Sequence, residues 1–200
     1  TEKAGFDVLN DMIYTLKFGE PTGIDYPGEA SGKVQNFDEW ARITGYNVSF
    51  GQGITATPIQ MVRAYSAIAN GGYLVQPHFL LSKPQTGTWE EYEKEQVLFD
   101  EDAINKTESL MRAVVLSGTG KKAQISGYDV IGKTSTAEIA EDGAYAESRY
   151  NLCFAGYINN SNSGLVCFVS ANDVRYEGNV VPVFHDIMAE AIEQYNIVPN

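Results

Sequence analysis

The chain has only two cysteines, Cys153 and Cys167, and two histidines, His78 and His185, in 200 residues. They are too few and too scattered to form a ligand cluster, so a metal centre is poorly supported. No apolar run approaches the roughly 20 residues that cross a bilayer, and no signal peptide opens the chain. Basic residues are also scarce. Fourteen Lys and Arg stand against 26 Asp and Glu, a formal charge of −12, which argues against nucleic acid as a partner. Ser49–Gly53 is glycine-rich but lacks the Lys-Ser/Thr ending of a phosphate-binding loop. No internal repeat is evident.

What is present suffices for a core. The hydrophobic content is 44%, and one domain covering residues 1–200 is the default. Phe6, Leu9, Ile13 and Leu16 recur at helical spacing between Lys3 and Lys17, and a Gly/Pro-dense loop follows to Ser31. Thr57 has the position of an N-cap, with Pro58 at the first helical position and Gln60 completing a capping box. Ile59, Val62, Tyr65, Ser66 and Ala69 predict the buried face of that helix, which Gly71-Gly72 ends. Tyr73 to Leu81 reads as extended, with Pro77 limiting its pairing. The charged stretch from Gln85 to Asp102 reads as a mobile segment.

Asp102 or Asn105 is expected to start a helix that runs through Leu110, Met111, Val114 and Val115 to Gly118. Val130 to Ala140 reads as a strand, turned by Glu141-Asp142-Gly143-Ala144. Asn151–Ile158 and Leu165–Ser170 are apolar, β-prone runs about the turn-rich Asn159–Gly164, and predict a hairpin. Its two cysteines lie nearly symmetrically about the turn. They read as buried free thiols, with a disulfide as the alternative. A last helix is expected from about Val183 to Tyr195, with Phe184, Ile187, Met188 and Ile192 on its apolar side. Helices, then antiparallel strands, then a helix make the fold class α+β, an antiparallel sheet with flanking helices.

The segment that concentrates chemistry is Ile131-Gly132-Lys133-Thr134-Ser135-Thr136-Ala137-Glu138. An ammonium, three hydroxyls and a row of strand N–H groups suit an anionic ligand. His78 and His185 are weaker acid–base candidates, for which packing or surface roles are preferred.

The order Lys133-Thr134-Ser135-Thr136 resembles the Lys-Thr-Gly motif of penicillin-binding proteins and serine β-lactamases. Phe18-Gly19, Thr22-Gly23-Ile24 and Pro27-Gly28-Glu29 resemble a stretch of class B penicillin-binding protein transpeptidases. So do Ser49-Phe50-Gly51-Gln52-Gly53, Thr57-Pro58-Ile59-Gln60, Ala67–Gly72 and Ser117-Gly118-Thr119-Gly120, in the family's order. The resemblance implies the penicillin-binding protein/β-lactamase-like transpeptidase fold in an incomplete form. The family's Ser-x-x-Lys nucleophile motif occurs nowhere in the chain. Ser170-Ala171-Asn172 fits the second motif, Ser-x-Asn, but follows the Lys-Thr-Ser strand when it should precede it. The chain is therefore expected to be the C-terminal portion of a transpeptidase domain, cut off after the second motif.

The implied activity is D,D-transpeptidation of peptidoglycan stem peptides through a serine acyl-enzyme, with β-lactams as inhibitors and no cofactor. The fragment alone is expected to be inactive. By the same resemblance, Lys133 supplies positive field and contacts the proton-transfer network. Thr134 and Thr136 hydroxyls bind the substrate carboxylate, and the Thr136 N–H forms half of an oxyanion hole. Ser135 is counted with Thr134 and Thr136 among the substrate-binding residues, but departs from the family's Gly and either faces away from the ligand or narrows its cleft. Strand alternation puts Lys133 and Ser135 on one face and Thr134 and Thr136 on the other, so edge geometry must bring them to one ligand. Tyr145 to Tyr150 resembles the variable loop bordering the cleft. The implied setting is the extracytoplasmic face of a bacterial membrane, reached through an N-terminal anchor absent here. The alternative is a non-catalytic penicillin-binding-protein-like interaction module, with Ser135 as an early sign of lost catalysis. The Cys167 strand would be left as an open edge, which makes self-association of the chain an expectation.

Overall fold

The computed structural model describes residues 3–141, 144–175 and 178–200. Contacts divide the chain into two compact units, Thr1–Ala67 with Gly72–Phe99, and Ile68–Gly71 with Asp100–Asn200.

The first unit contains α1 (Phe6–Thr15), α2 (Arg42–Ser49) and most of α3 (Pro58–Ala69). Two small antiparallel pairs follow, β1 (Tyr73–Val75) with β4 (Lys94–Gln96), and β2 (Ser82–Lys83) with β3 (Thr88–Trp89). The capping box at α3 forms as expected. Thr57 N–H donates to Gln60 Oε1 at 2.8 Å, and Gln60 N–H to Thr57 Oγ1 at 3.3 Å, worth about 0.5–2 kcal/mol. The buried face of α3 differs from the expected one. Gln60, Arg63, Ala64 and Ala67 are buried, whereas Ile59, Val62, Tyr65 and Ser66 are half-buried and Ala69 is exposed.

The reason for that face is hydrogen bonding. Gln60 Nε2 donates to the carbonyls of Glu20 and Ser31, both at 2.8 Å, and an Arg63 guanidinium nitrogen donates to the Lys17 carbonyl at 3.1 Å. These loop carbonyls take their donors from α3, so two polar side chains are buried in place of the apolar ones beside them. The Thr22–Glu29 loop is closed in the same way. The Glu29 carboxylate accepts from Thr22 N–H at 2.7 Å, Thr22 Oγ1 at 2.5 Å and Gly23 N–H at 3.1 Å. Burial pushes the Glu29 carboxyl up, but these donors outweigh it and hold it below the usual range. The region from Gln85 to Asp102, read as a mobile segment, contains β3 and β4, and within Tyr73–Leu81 β1 is the strand, with Gln76 N–H also donating to the Glu93 carbonyl at 3.0 Å.

The second unit is α4 (Glu101–Ser117), β5 (Asp129–Glu141), β6 (Ala144–Asn159), β7 (Val166–Val174) and α5 (Val181–Tyr195). The strands form one antiparallel sheet in the order β5-β6-β7. α4 starts earlier than expected. Asp100 is its N-cap, the carboxylate accepting from Ala103 N–H at 3.0 Å, and Gly118 is the C-cap. The expected Glu141–Ala144 turn includes residues 142 and 143, which lie outside the described residues. Tyr145 to Tyr150, read as a loop, lies in β6, where Glu138 pairs with Tyr150 and Ala140 with Tyr145. The extra β6 residues of that register shift form a bulge, with Ser148 at φ 57°.

One face of this sheet builds the core. Val130 of β5, Leu152, Phe154 and Ile158 of β6, Val115 of α4, and Val181, Phe184 and Met188 of α5 are buried together. The Phe154 and Phe184 rings meet edge-on with centroids 4.6 Å apart, worth about 0.5–1.5 kcal/mol beyond their burial. Ile187, expected on the apolar side of α5, is instead 47% exposed. α4 is fixed to the sheet by polar contacts as well. Arg112 and Asp129 form a bidentate pair, both bonds 2.8 Å, and Tyr157 donates its hydroxyl to Glu108 at 2.8 Å. The Arg112 guanidinium holds the Asp129 carboxyl below its ordinary value, against the opposing effect of burial.

Candidate anion-binding edge

β5 is a strand of two different halves. Val130, Ile131 and Gly132 are buried, whereas Lys133, Ser135 and Thr136 are exposed and Thr134 is half-buried. Gly132 allows the change, because the Phe154 ring of β6 lies where its Cβ would stand. Past that point β5 pairs with β6 on one side and, among the described residues, with no strand on the other.

The register assigns the faces. Thr134 and Thr136 lie opposite Phe154 and Leu152, on the core face, while Lys133 and Ser135 lie opposite Ala155 and Cys153 on the other. Ser135 therefore points away from the face of the two threonines, into solvent. Lys133 overcomes the alternation by bending round the edge, where its Nζ donates to the Thr134 carbonyl at 2.6 Å. In an antiparallel strand the N–H and C=O of one residue point to the same side, and this side alternates along the chain. A Thr134 carbonyl reached from the open side thus puts the Thr136 N–H on that side too.

A further hydroxyl stands here. Thr119, two residues beyond the end of α4, has its Oγ1 2.6 Å from that of Thr134. Thr119 belongs to the Ser117–Gly120 motif, which by itself gives it no part in the site. Its signal was weak, since nothing in the spacing of Ser117–Gly120 shows which strand the loop meets. An ammonium, three threonine hydroxyls and an outward N–H thus share one edge, and this set can receive an anion and polarise a carbonyl beside it.

The other candidates fall elsewhere. His78 stacks on Tyr92 with centroids 3.7 Å apart, and His185 Nδ1 lies 3.0 Å from its neighbour Asp186. Cys153 and Cys167 are free and half-buried. Cys153 pairs with Ser170 and Cys167 with Gly156, so their side chains emerge on opposite faces of the sheet. They are not cross-strand neighbours in the sense a disulfide needs. Burial pushes both thiols up. No group of three or more His, Cys, Asp or Glu is arranged to hold a metal among the described residues.

The model of the penicillin binding protein transpeptidase domain matches residues 1–189. The stage V sporulation protein D of Bacillus subtilis is 31% identical over 99% of the chain and 32% of its own length. A probable peptidoglycan D,D-transpeptidase of Pseudomonas aeruginosa is 30% identical over 95% of the chain and 34% of its own. Among solved structures, penicillin binding protein 3 of Mycobacterium tuberculosis, complexed with ampicillin, superposes at a TM-score of 0.87. It is 28% identical, covering 99% of this chain and 48% of that one. The chain spans about a third of the length of these curated relatives.

Proposed function

The chain belongs to the penicillin-binding protein transpeptidase family, and from that premise we propose that it supplies the carboxylate-receiving part of a peptidoglycan D,D-transpeptidase. The observation that carries this reading is the open edge of β5, where Lys133 and Thr119 both meet Thr134, although alternation puts Lys133 on the other face, and Thr136 follows on the face of Thr134. The ligand is the carboxylate end of a stem peptide, or a β-lactam in its place.

In this reading the Thr134 and Thr136 hydroxyls take the carboxylate, and Lys133 supplies the field that draws it in. The Thr136 N–H meets the carbonyl oxygen as negative charge develops there. One such donor is worth roughly 2.7–4 kcal/mol in acyl transfer. Ser135 borders the site without obstructing it, because its side chain is on the other face. The attacking group is a serine in a Ser-x-x-Lys setting, which these 200 residues do not contain. Its hydroxyl oxygen bonds to the carbonyl carbon, the amine of the terminal residue leaves with a proton, and a second amine later displaces the serine. Peptidoglycan as substrate puts the work on the extracytoplasmic face of a bacterial membrane.

Covalent labelling by a fluorescent penicillin tests this. The full-length protein is expected to label, and Lys133→Ala to slow its acylation by about 100-fold or more. The 200-residue chain alone is expected to stay unlabelled. Acylation of Lys133→Ala within about threefold of the unmodified rate removes Lys133 from the chemistry. A stable stoichiometric adduct on the isolated chain puts the nucleophile inside it and overturns the assignment.

A further inference from the structure

The open edge of β5 carries a charge of each sign, Lys133 and Glu138. Glu138 lies four residues beyond Thr134 on the same strand face, before the register shift that separates Glu138 from Ala140. It is exposed. Among the described residues it has no ion pair, and the cation nearest to it by register is already engaged. Arg149, next to the Tyr150 that pairs with Glu138, makes a bidentate pair with Asp173 at 2.7 and 2.8 Å and a further bond to Glu141 at 2.8 Å. The edge therefore runs from an ammonium at Lys133 to an unneutralised carboxylate at Glu138, about 16 Å along an extended strand.

We propose that Glu138 selects the charge of the substrate residue lying upstream of the bound carboxylate, favouring a cationic side chain. The proposal rests on the carboxylate-receiving role given to Lys133 and Thr134. A peptide whose terminal carboxylate sits at that end, and which pairs antiparallel with the free edge, extends past Thr136 towards Glu138. The four residues from Thr134 to Glu138 span about 13 Å, so the third or fourth residue from the peptide's carboxy terminus reaches the Glu138 carboxylate. An ammonium or guanidinium there completes an ion pair, a neutral side chain is tolerated, and a carboxylate is repelled. Because the site is open to solvent, the discrimination is modest, about threefold to fivefold for each step of charge.

Acylation of the full-length protein by three peptide thioesters tests this. The donors are identical except for one residue near the carboxy terminus, carrying lysine, Nε-acetyl-lysine or glutamate. The expected order of kcat/KM is lysine, then acetyl-lysine, then glutamate. Glu138→Gln should collapse the three to one value, Glu138→Lys should invert the order, and Glu138→Asp should keep it. A ratio between donors is read within each variant, so partial misfolding does not imitate the result. Lysine preference that persists in Glu138→Gln overturns the proposal, as does an equal loss for all three donors, which marks Glu138 as a structural or solubility residue of the edge. Failure of the underlying reading looks different: Lys133→Ala then leaves all three donors unchanged.

Discussion

Thr119 and Thr134, 15 residues apart, hold their hydroxyl oxygens 2.6 Å from each other. The bond ties the loop after α4 to the motif strand and fixes how the Thr134 hydroxyl is turned. With one proton committed between the two oxygens, the other remains to be donated to a bound anion. Residues between them support this geometry: Gly120 N–H donates to the Val114 carbonyl at 3.0 Å, and Ala123 is fully buried.

Thr119→Val removes the hydroxyl and keeps the shape. A lost neutral hydrogen bond is worth about 0.5–1.5 kcal/mol, so acylation of the full-length protein by a carboxylate-bearing donor should fall roughly threefold to tenfold. Thr119→Ser should restore most of it. The check is to measure acylation and thermal stability together, because a loss of melting temperature without a change in acylation assigns Thr119 to packing alone.

Asp129 gives a pH prediction. Its pKa is lowered, first by the hydrogen bonds from Arg112, then less so by Asn159, with burial opposing. A carboxyl that titrates lower in the folded chain than in the unfolded one stabilises the fold above the unfolded value. That stability disappears as the pH falls through the lower, folded value. Urea midpoints should therefore decline below about pH 4. Asp129→Asn should be less stable near pH 7 and lose less on acidification. Parallel acid profiles for the two proteins would show that the Arg112 pair carries no pH-dependent stability.

The cysteines offer a simpler check. Cys153 and Cys167 occupy opposite faces of the β6–β7 pair. Under a mild oxidant both should remain titratable as free thiols after unfolding, and non-reducing mass spectrometry should show no intramolecular cross-link. A Cys153–Cys167 disulfide in the folded chain would require one strand to slip by three residues, since Cys153 faces Ser170, and so would contradict the register.

Sequence reasoning reached the elements more easily than their faces. The strands, the hairpin and the capping box at Thr57 were legible because alternation, turn residues and caps are local signals. The face of α3 was not, because Gln60 and Arg63 are buried by carbonyls at Lys17, Glu20 and Ser31, and such long-range partners leave no periodic trace. The start of α4 was misplaced because Asp100, Asp102 and Asn105 are all residue types that cap a helix, and only the first does so. At the site, Lys133, Thr134 and Thr136 were named from a motif, but how Lys133 reaches the edge depends on a side-chain path that alternation alone argues against. Thr119 needed the fold.

β7 is the other edge of the sheet. It pairs with β6 on one side and, among the described residues, with no strand on the other. Val166, Cys167, Phe168 and Val169 are only half-buried along it. An unpaired row of N–H and C=O groups beside apolar side chains is a template for another strand. The far end is poorly suited to pairing, since Asp173 has φ 55° and its side chain is committed to Arg149. The stretch from Val166 to Ala171 should therefore bring two copies of the 200-residue chain together, edge to edge. Light scattering across a dilution series should show a mass above that of the monomer, falling towards it on dilution. Phe168→Lys puts a charge on the face away from α5, where pairing strands would bury it, and should yield monomers at every concentration without lowering the melting temperature. A chain that is monomeric at high concentration with its native Phe168 would show that this edge is already protected.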